Sequence, residues 1–302
     1  MDRSDQIRAV SQMQNYIATH LKEPITLSQL ASAAGYSPFH ADRIFKQWTG
    51  KTPFDYIRSL RLSQAAVIIR DESPKIVDVA FDFVFGSHEG FTKAFSKAFG
   101  LPPSRYSELG PAIGLFLPWD IGAYQKHLEK GEKSMSEKPA KDFVFVQIVD
   151  RPLRKCLLRR GIKAKEYFAY CEEVGCDVWG FLCSVKEALY EPIGMWLPTR
   201  LIPEGTSEYV QGVEVPLDYD KPLPQGFELV EMAPCQMMVF QGRPYDDADF
   251  EEEVLGLMKV IDEFDPSIYG FVWADEDAPR FQLAPMGYRG YIEARPVKPI
   301  GK

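Results

Sequence analysis

The sequence predicts a multidomain chain: an all-α N-terminal domain with two helix-turn-helix units joined by a long helix, then an α+β domain of duplicated strand-helix-strand-strand units. Three observations carry this. Residues 36–56, YSPFHADRIFKQWTGKTPFDY, return at an offset of fifty as GSHEGFTKAFSKAFGLPPSRY, so that Ser37, Phe45, Gly50, Pro53 and Tyr56 fall on Ser87, Phe95, Gly100, Pro103 and Tyr106. VDRPLRKCLLRRG (149–161) lies over VEMAPCQMMVFQG (230–242) at an offset of 81. The charge also divides: residues 1–110 carry 13 Lys and Arg against 11 Asp and Glu, whereas residues 111–302 carry 22 against 32.

The helical elements follow in chain order. Ile7, Val10, Met13, Ile17 and Leu21 form one apolar stripe at helical spacing. Thr26 can cap a helix beginning LSQLASAAG, Gly35 ends it in a sharp turn, and Ser37 caps the next helix with Pro38 in its first turn. Small Ala31 permits the close crossing that a helix-turn-helix needs, and Leu30 and Ile44 supply its shared core. Pro53 opens the long helix FDYIRSLRLSQAAVIIR. After DESPK, Ile76 to Phe83 repeats the Leu27 to Ala34 helix with Ala80 in the role of Ala31, and a further helix begins near Ser87. Phe45, Phe91, Phe95 and Phe99 recur at helical spacing and are expected in the core.

The domains are placed at 1–110, a connecting segment and linker at 111–142, and 143–302. PAIGLFLPWDIGAYQKHL is too apolar for a free tether, while EKGEKSMSEKPAK (129–141) has linker composition. In the second domain an acidic-started helix follows each copy of the repeat. IGMWLPTRL then pairs with SEYVQGVEVP, and PRFQLAPM with GYRGYIEARPV.

Of 302 residues, 45% are hydrophobic and 26% charged, with a net charge of -8. No eighteen-residue apolar run and no signal pattern is present, so a cytoplasmic location and no membrane partner are expected. The five cysteines, Cys156, Cys171, Cys176, Cys183 and Cys235, lack CxxC pairs and are read as buried thiols of a reducing compartment. No metal, cofactor or catalytic residue is expected.

A helix-turn-helix lays its second helix in the major groove, so base contacts fall near that helix's N-terminus. In the first unit the outward candidates are Phe39, His40, Asp42, Arg43 and Lys46; in the second, Ser87, His88, Glu89, Gly90 and Lys93. Arg43 is the best base reader, because a guanidinium bonds guanine O6 and N7 together, and Phe39 suits thymine methyl groups. The equivalent placement of Arg43 and Lys93 favours the groove over a merely solvated face.

The pattern Val79-Ala80, Val84-Phe85, Ser87, Phe91, Phe95, Phe99-Gly100, Pro103 and Tyr106 resembles the signature of AraC/XylS-type transcription regulators over residues 7–107. The resemblance implies that both recognition helices face promoter DNA. Two departures stand out: Val84 where the turn usually has glycine, and Ser107 where an arginine usually follows the tyrosine. A non-glycine turn costs roughly 1 kcal/mol if positive φ is needed. Residues 143–300 are similar to gyrase-inhibitor-like effector-binding domains, which cradle amphipathic, often cationic, small molecules between two halves. Strand alternation puts Tyr291, Glu293 and Arg295 on one face. A buried glutamate beside aromatic rings meets the physical requirement for recognising a greasy cation. The expected effector residues are Glu293, Tyr291, Trp196, Tyr209, Trp273 and Trp179, with Glu214 as a second acidic candidate.

The function implied is a ligand-responsive, sequence-specific DNA-binding regulator and not an enzyme, with promoter DNA, a small-molecule effector and RNA polymerase as partners. Two other readings of the second domain stand beside it. It could bind a protein partner, or use Tyr291 and Glu293 to polarise water as a small-molecule hydrolase. No nucleophile elbow, metal cluster or phosphate loop supports the latter.

Overall fold

Caps and turns written in the sequence set the helices of the first unit. The computed structural model describes residues 3–118, 144–175, 177–246 and 249–301, and the chain divides into two compact units, residues 1–132 and 133–302. The expected linker at 129–141 and Cys176 lie outside the described residues. The helices are α1 (Arg3–Thr19), α2 (Leu27–Ala34), α3 (Pro38–Thr49), α4 (Pro53–Glu72), α5 (Ile76–Asp82), α6 (His88–Phe99) and α7 (Pro103–Leu109). Thr26 and Gln29 form a reciprocal capping box at α2. Ser37, Thr52 and Ser87 each accept a backbone N–H three residues on, which satisfies donors that the first helical turn leaves without partners.

The two interhelical turns share one hydrogen-bond pattern. Tyr36 N donates to Ala31 O at 2.9 Å, and Phe85 N donates to Ala80 O at 2.9 Å. The residue before each donor is left-handed: Gly35 at φ +71° and Val84 at φ +61°. Beyond that point the second turn carries one more residue, Gly86, before its capping serine.

The apolar stripes point inward as their spacing requires. Val10, Met13, Ile17, Leu30, Ile44 and Phe45 are buried in the first half of the unit, and Phe83, Phe91, Phe95 and Tyr106 in the second. Helix α4 contributes Leu60, Leu62, Ala65, Ala66 and Ile69 to the buried set; its 20 residues span about 30 Å. Residues 111–118 return along it. Ile113 and Leu115 are buried, Phe116 N donates to Ser63 Oγ at 2.7 Å, and the Phe116 ring meets Tyr56 edge-on at 5.0 Å.

In the second unit the elements are β1 (Phe145–Arg151), β2 (Arg154–Arg160), α8 (Tyr167–Val174), α9 (Asp177–Ser184), β3 (Ile193–Trp196), β4 (Tyr209–Val215), β5 (Glu228–Met232), β6 (Cys235–Gln241), α10 (Phe250–Glu263), β7 (Phe271–Trp273), β8 (Arg280–Leu283) and β9 (Ile292–Pro299). All pairings are antiparallel, and the sheet order is β1-β6-β9-β8-β3-β4-β2-β5, with β7 added on β9. The pairings expected within IGMWLPTRL/SEYVQGVEVP and PRFQLAPM/GYRGYIEARPV are present as β3·β4 and β8·β9.

Three features depart from the expected plan. Two strands, not one, precede each helical segment, because Pro152 and Pro234 interrupt the repeated runs where a strand would need an N–H. The first helical segment is split into α8 and α9 at Gly175, whose φ is +94°. Strand β7 adds a third pairing to β9.

Strand β1 ends the order and β2 stands one place in from its other end, yet they are joined by only Pro152 and Leu153; Ala233 and Pro234 likewise join the end strand β5 to β6, one place in from the opposite end. So short a connection between distant strands forces the sheet to curl until its ends approach. The inner face of the curl is apolar, with Cys156, Leu158, Ile193, Met195, Val210, Met237, Phe281 and Ala294. On the other face, Leu257 and Ile261 of α10 pack with Met238, Phe240, Tyr291 and Val297.

Candidate functional site

The second helix of each helix-turn-helix unit has one buried and one open face. In α3, Ala41, Ile44 and Phe45 are buried, while Phe39 is 81% exposed and Arg43 and Lys46 face solvent. His40 and Asp42 are half-buried. Arg43 Nη2 lies 3.4 Å from His40 Nδ1, and the His40 ring tilts against Tyr36 at 5.0 Å. In α6, Phe91 and Phe95 are buried, and His88, Glu89, Gly90 and Lys93 are exposed. Ser87 is exposed too, with its Oγ accepting from Gly90 N at 3.1 Å. Phe39 thus stands four-fifths in water at the start of α3, next to the helix face that is fully packed.

In the second unit, four of the seven expected effector residues meet over the central strands. Strand alternation places Trp196 and Gly194 of β3, Tyr209 and Gln211 of β4, Arg280 and Gln282 of β8, and Glu293 of β9 on the helix-covered face. Tyr291 Oη donates to Gln282 Oε1 at 2.7 Å and lies 3.0 Å from Glu293 Oε2. Gln282 Nε2 donates to Tyr209 Oη at 2.9 Å. Trp196 meets Tyr209 edge-on at 5.2 Å, and Tyr170 of α8 flanks Tyr209 at 5.7 Å. Gly194 makes room for this arrangement: a Cβ there would stand 2.1 Å from Tyr209 Oη.

Glu293 is fully buried and is held by Arg280, whose Nε donates to its Oε1. The same guanidinium lies over the Trp196 ring at 5.2 Å and sets Nη1 3.4 Å from Asp262 Oδ1 on α10. Burial pushes the Glu293 carboxyl above its ordinary range, and the Arg280 charge pulls it part of the way back. Burial also lifts the Tyr209 and Tyr291 hydroxyls well above theirs, which keeps both neutral and able to donate. Among the described residues, no three His, Cys, Asp or Glu side chains are placed to hold a metal ion.

The other three residues lie apart. Trp273 packs with Phe240 and Phe264 and carries Arg295 over its ring at 4.3 Å. Trp179 is half-buried on α9, which packs on β4. Glu214 does not share the cleft of Glu293, as its strand had suggested: its position on β4 is odd in step with Tyr209, so it points into the curl, opposite Cys156. There it is held by Arg151 Nη1 at 2.7 Å and Arg154 Nε at 2.5 Å. Arg154 also donates to Pro152 O and Ala233 O, one carbonyl from each of the two short strand connections. Glu214 thus belongs to a buried staple that closes the curl.

Sequence reasoning missed Arg280, Gln282 and Gln211. Their signal was present in PRFQL and VQGVE, where polar residues alternate with apolar ones on strands whose other face is core. A glutamate read without its partner looked available to a cation, but Arg280 reaches it from thirteen residues away across a strand pair.

Two helix-turn-helix units joined through one long helix, each with its second helix open to solvent, define a double helix-turn-helix DNA-binding domain. The family model described as "Helix-turn-helix domain" matches residues 30–108. The chain is 34% identical over 149 residues to the Right origin-binding protein of Escherichia coli (strain K12), covering 49% of this chain and 47% of that protein. It is 34% identical over 103 residues to the Probable transcription factor PqrA of Proteus vulgaris, covering 33% of this chain and 84% of the relative. To Regulatory protein SoxS of E. coli (strain K12) it is 35% identical over 91 residues, 30% of this chain and 85% of that one. The chain therefore belongs to the AraC family of helix-turn-helix transcription regulators. It spans about half the length of the first of these relatives.

Proposed function

We propose that this protein is a sequence-specific promoter-binding regulator whose second domain takes up a small amphipathic or cationic effector, with occupancy altering how the protein engages DNA or RNA polymerase. The observation that carries the DNA half is the bare N-terminal surface of α3, where Phe39 and Arg43 stand in solvent beside a fully packed core. Arg43 reads a guanine and Phe39 a thymine methyl; His40 and Asp42 border them and Lys46 contacts phosphate. In α6, Lys93, His88, Glu89, Gly90 and Ser87 form a weaker reading set, so the second unit adds position and reach. A 30 Å helix between the units matches the roughly 34 Å of one DNA turn that separates neighbouring major-groove faces.

The effector half rests on the cluster of buried Glu293, Tyr291 and Tyr209 with half-buried Trp196, flanked by α8 and α10. Its setting supports two related halves. Read from either end, the sheet order passes through corresponding strands, β1 with β5, β6 with β2, β9 with β4 and β8 with β3, so the cluster straddles the junction β3·β8. Trp273 and Trp179 belong to the flanking walls in this reading.

The test is genome-wide footprinting of the intact protein, followed by binding measurements at one recovered site. Arg43→Ala is expected to cost about 1–3 kcal/mol there and to relax preference at one base pair. An unchanged base preference removes Arg43 from the reading set.

A further inference from the structure

We propose that Arg280 is a built-in occupant of the effector site, a tethered cation that an incoming ligand must displace from Glu293. The inference rests on the reading of the Glu293 cluster as an effector site and concerns how that site is regulated.

A carboxylate with no exposed surface cannot stay ionised without a positive partner, because desolvation otherwise neutralises it. Arg280 supplies that partner from the facing strand, with Nε on Glu293 Oε1. Strand register brings it there, since Arg280 and Trp196 are direct cross-strand partners of β8 and β3. Its guanidinium is planar, delocalised and weakly hydrated, so it sits well over the Trp196 ring, at 5.2 Å from the centroid. Carboxylate on one side and an aromatic face on the other are the two contacts a hydrophobic cation would use. Arg280 makes both.

The fit is incomplete in one respect. Arg280 Nη2 is buried and has no hydrogen-bond partner, a cost that the bound arrangement carries. An alternative partner stands at the rim: Asp262 on α10 is 60% exposed, and its Oδ1 is already 3.4 Å from Nη1. A rotation of the Arg280 side chain toward Asp262 would release Glu293, which takes up a proton until an incoming cation replaces it, and would bring Nη2 into solvent. Two positions of one guanidinium, on Glu293 or on Asp262, give the site closed and open states. Apparent ligand affinity is then reduced by the fraction of molecules in the closed state. Only a ligand that replaces both the ion pair and the ring contact gains entry, which selects for bulky delocalised cations over small hydrated ones.

The experiment follows tetraphenylphosphonium binding to the full chain by tryptophan fluorescence and calorimetry. Arg280→Met keeps the aliphatic stem and removes the competing charge; it is expected to bind about tenfold or more tighter than the unsubstituted protein. Arg280→Lys keeps the charge but loses the planar contact, and is expected to fall between the two; it decides the matter if Arg280→Met does not fold. In Arg280→Ala, free methylguanidinium should compete with tetraphenylphosphonium, which it does not do when Arg280 is present. Equal or weaker binding by the Met and Lys variants, with binding to the unsubstituted protein still lost in Glu293→Gln, overturns the tethered cation and leaves the effector site standing. No binding by any variant, or binding that survives Glu293→Gln, removes the effector reading and the tethered cation together.

Discussion

Val84 carries a conformation that its side chain resists. It occupies the left-handed position that Gly35 fills in the first unit, at φ +61° against +71°, with the same backbone hydrogen bonds around it. A β-branched residue pays for that conformation through contact between Cβ and its own carbonyl, about 1–2 kcal/mol for an L-residue. Val84→Gly relieves the contact and gives back part of the gain as chain entropy, so the substitution is expected to stabilise by about 1 kcal/mol. Urea denaturation of the two proteins measures it; equal or lower stability in the glycine variant means that the Val84 side chain contributes packing that outweighs the strain. This residue was legible in the sequence because the turn demands one backbone geometry. Arg280 was not, because nothing local marks which carboxylate a distant arginine will reach.

At the scale of elements, what could be read followed the range of the contacts. Thr26 and Ser37 announce their helices through bonds three residues long and cap as expected, and Thr52 and Ser87 cap in the same way. Strand partners are set by contacts between residues up to about a hundred positions apart, such as Phe145 with Gln241, so neither the sheet order nor the opposite facing of Glu214 and Glu293 could be read in advance. One short tie between elements has a pH signature. Glu173 of α8 accepts from Ile162 N at 2.7 Å and Lys163 N at 2.9 Å in the loop leaving β2. Desolvation lifts its carboxyl, but the backbone donors of Ile162, Lys163 and Ala164 together outweigh it and hold the group below its ordinary value. The folded pKa is depressed, so this tie stabilises fully above the unfolded value, about 4.3, and is lost as pH falls through the folded one. Glu173→Gln should therefore unfold at a lower temperature than the unsubstituted protein at pH 6, and the gap should close in acid below pH about 4. A gap independent of pH would assign the effect to packing instead.

For the whole molecule, the two units differ in how far apart in sequence their contacts lie. The helical unit joins neighbours, α1 with α2 and α2 with α3, whereas the sheet joins β1 to β6 and β2 to β5. Loop closure must precede such distant pairings, and folding slows accordingly. Refolding of the full chain should show a fast phase in far-ultraviolet circular dichroism for the helices and a slower one for the sheet, separated by about tenfold or more. A single phase at all wavelengths would show that the units fold as one. The pair of two-residue connections closed by Arg154 carries this further during synthesis. Strands β1 and β2 leave the ribosome without partners, because β4 follows β2 by some fifty residues and β6 follows β1 by some ninety, and the inner strand β9 comes later still. The DNA-reading half can thus be complete on the nascent chain while the sheet half is still an unpaired, aggregation-exposed segment. Chaperone contacts during synthesis are therefore expected to fall mostly on residues 133–302, the unit whose strands wait longest for their partners.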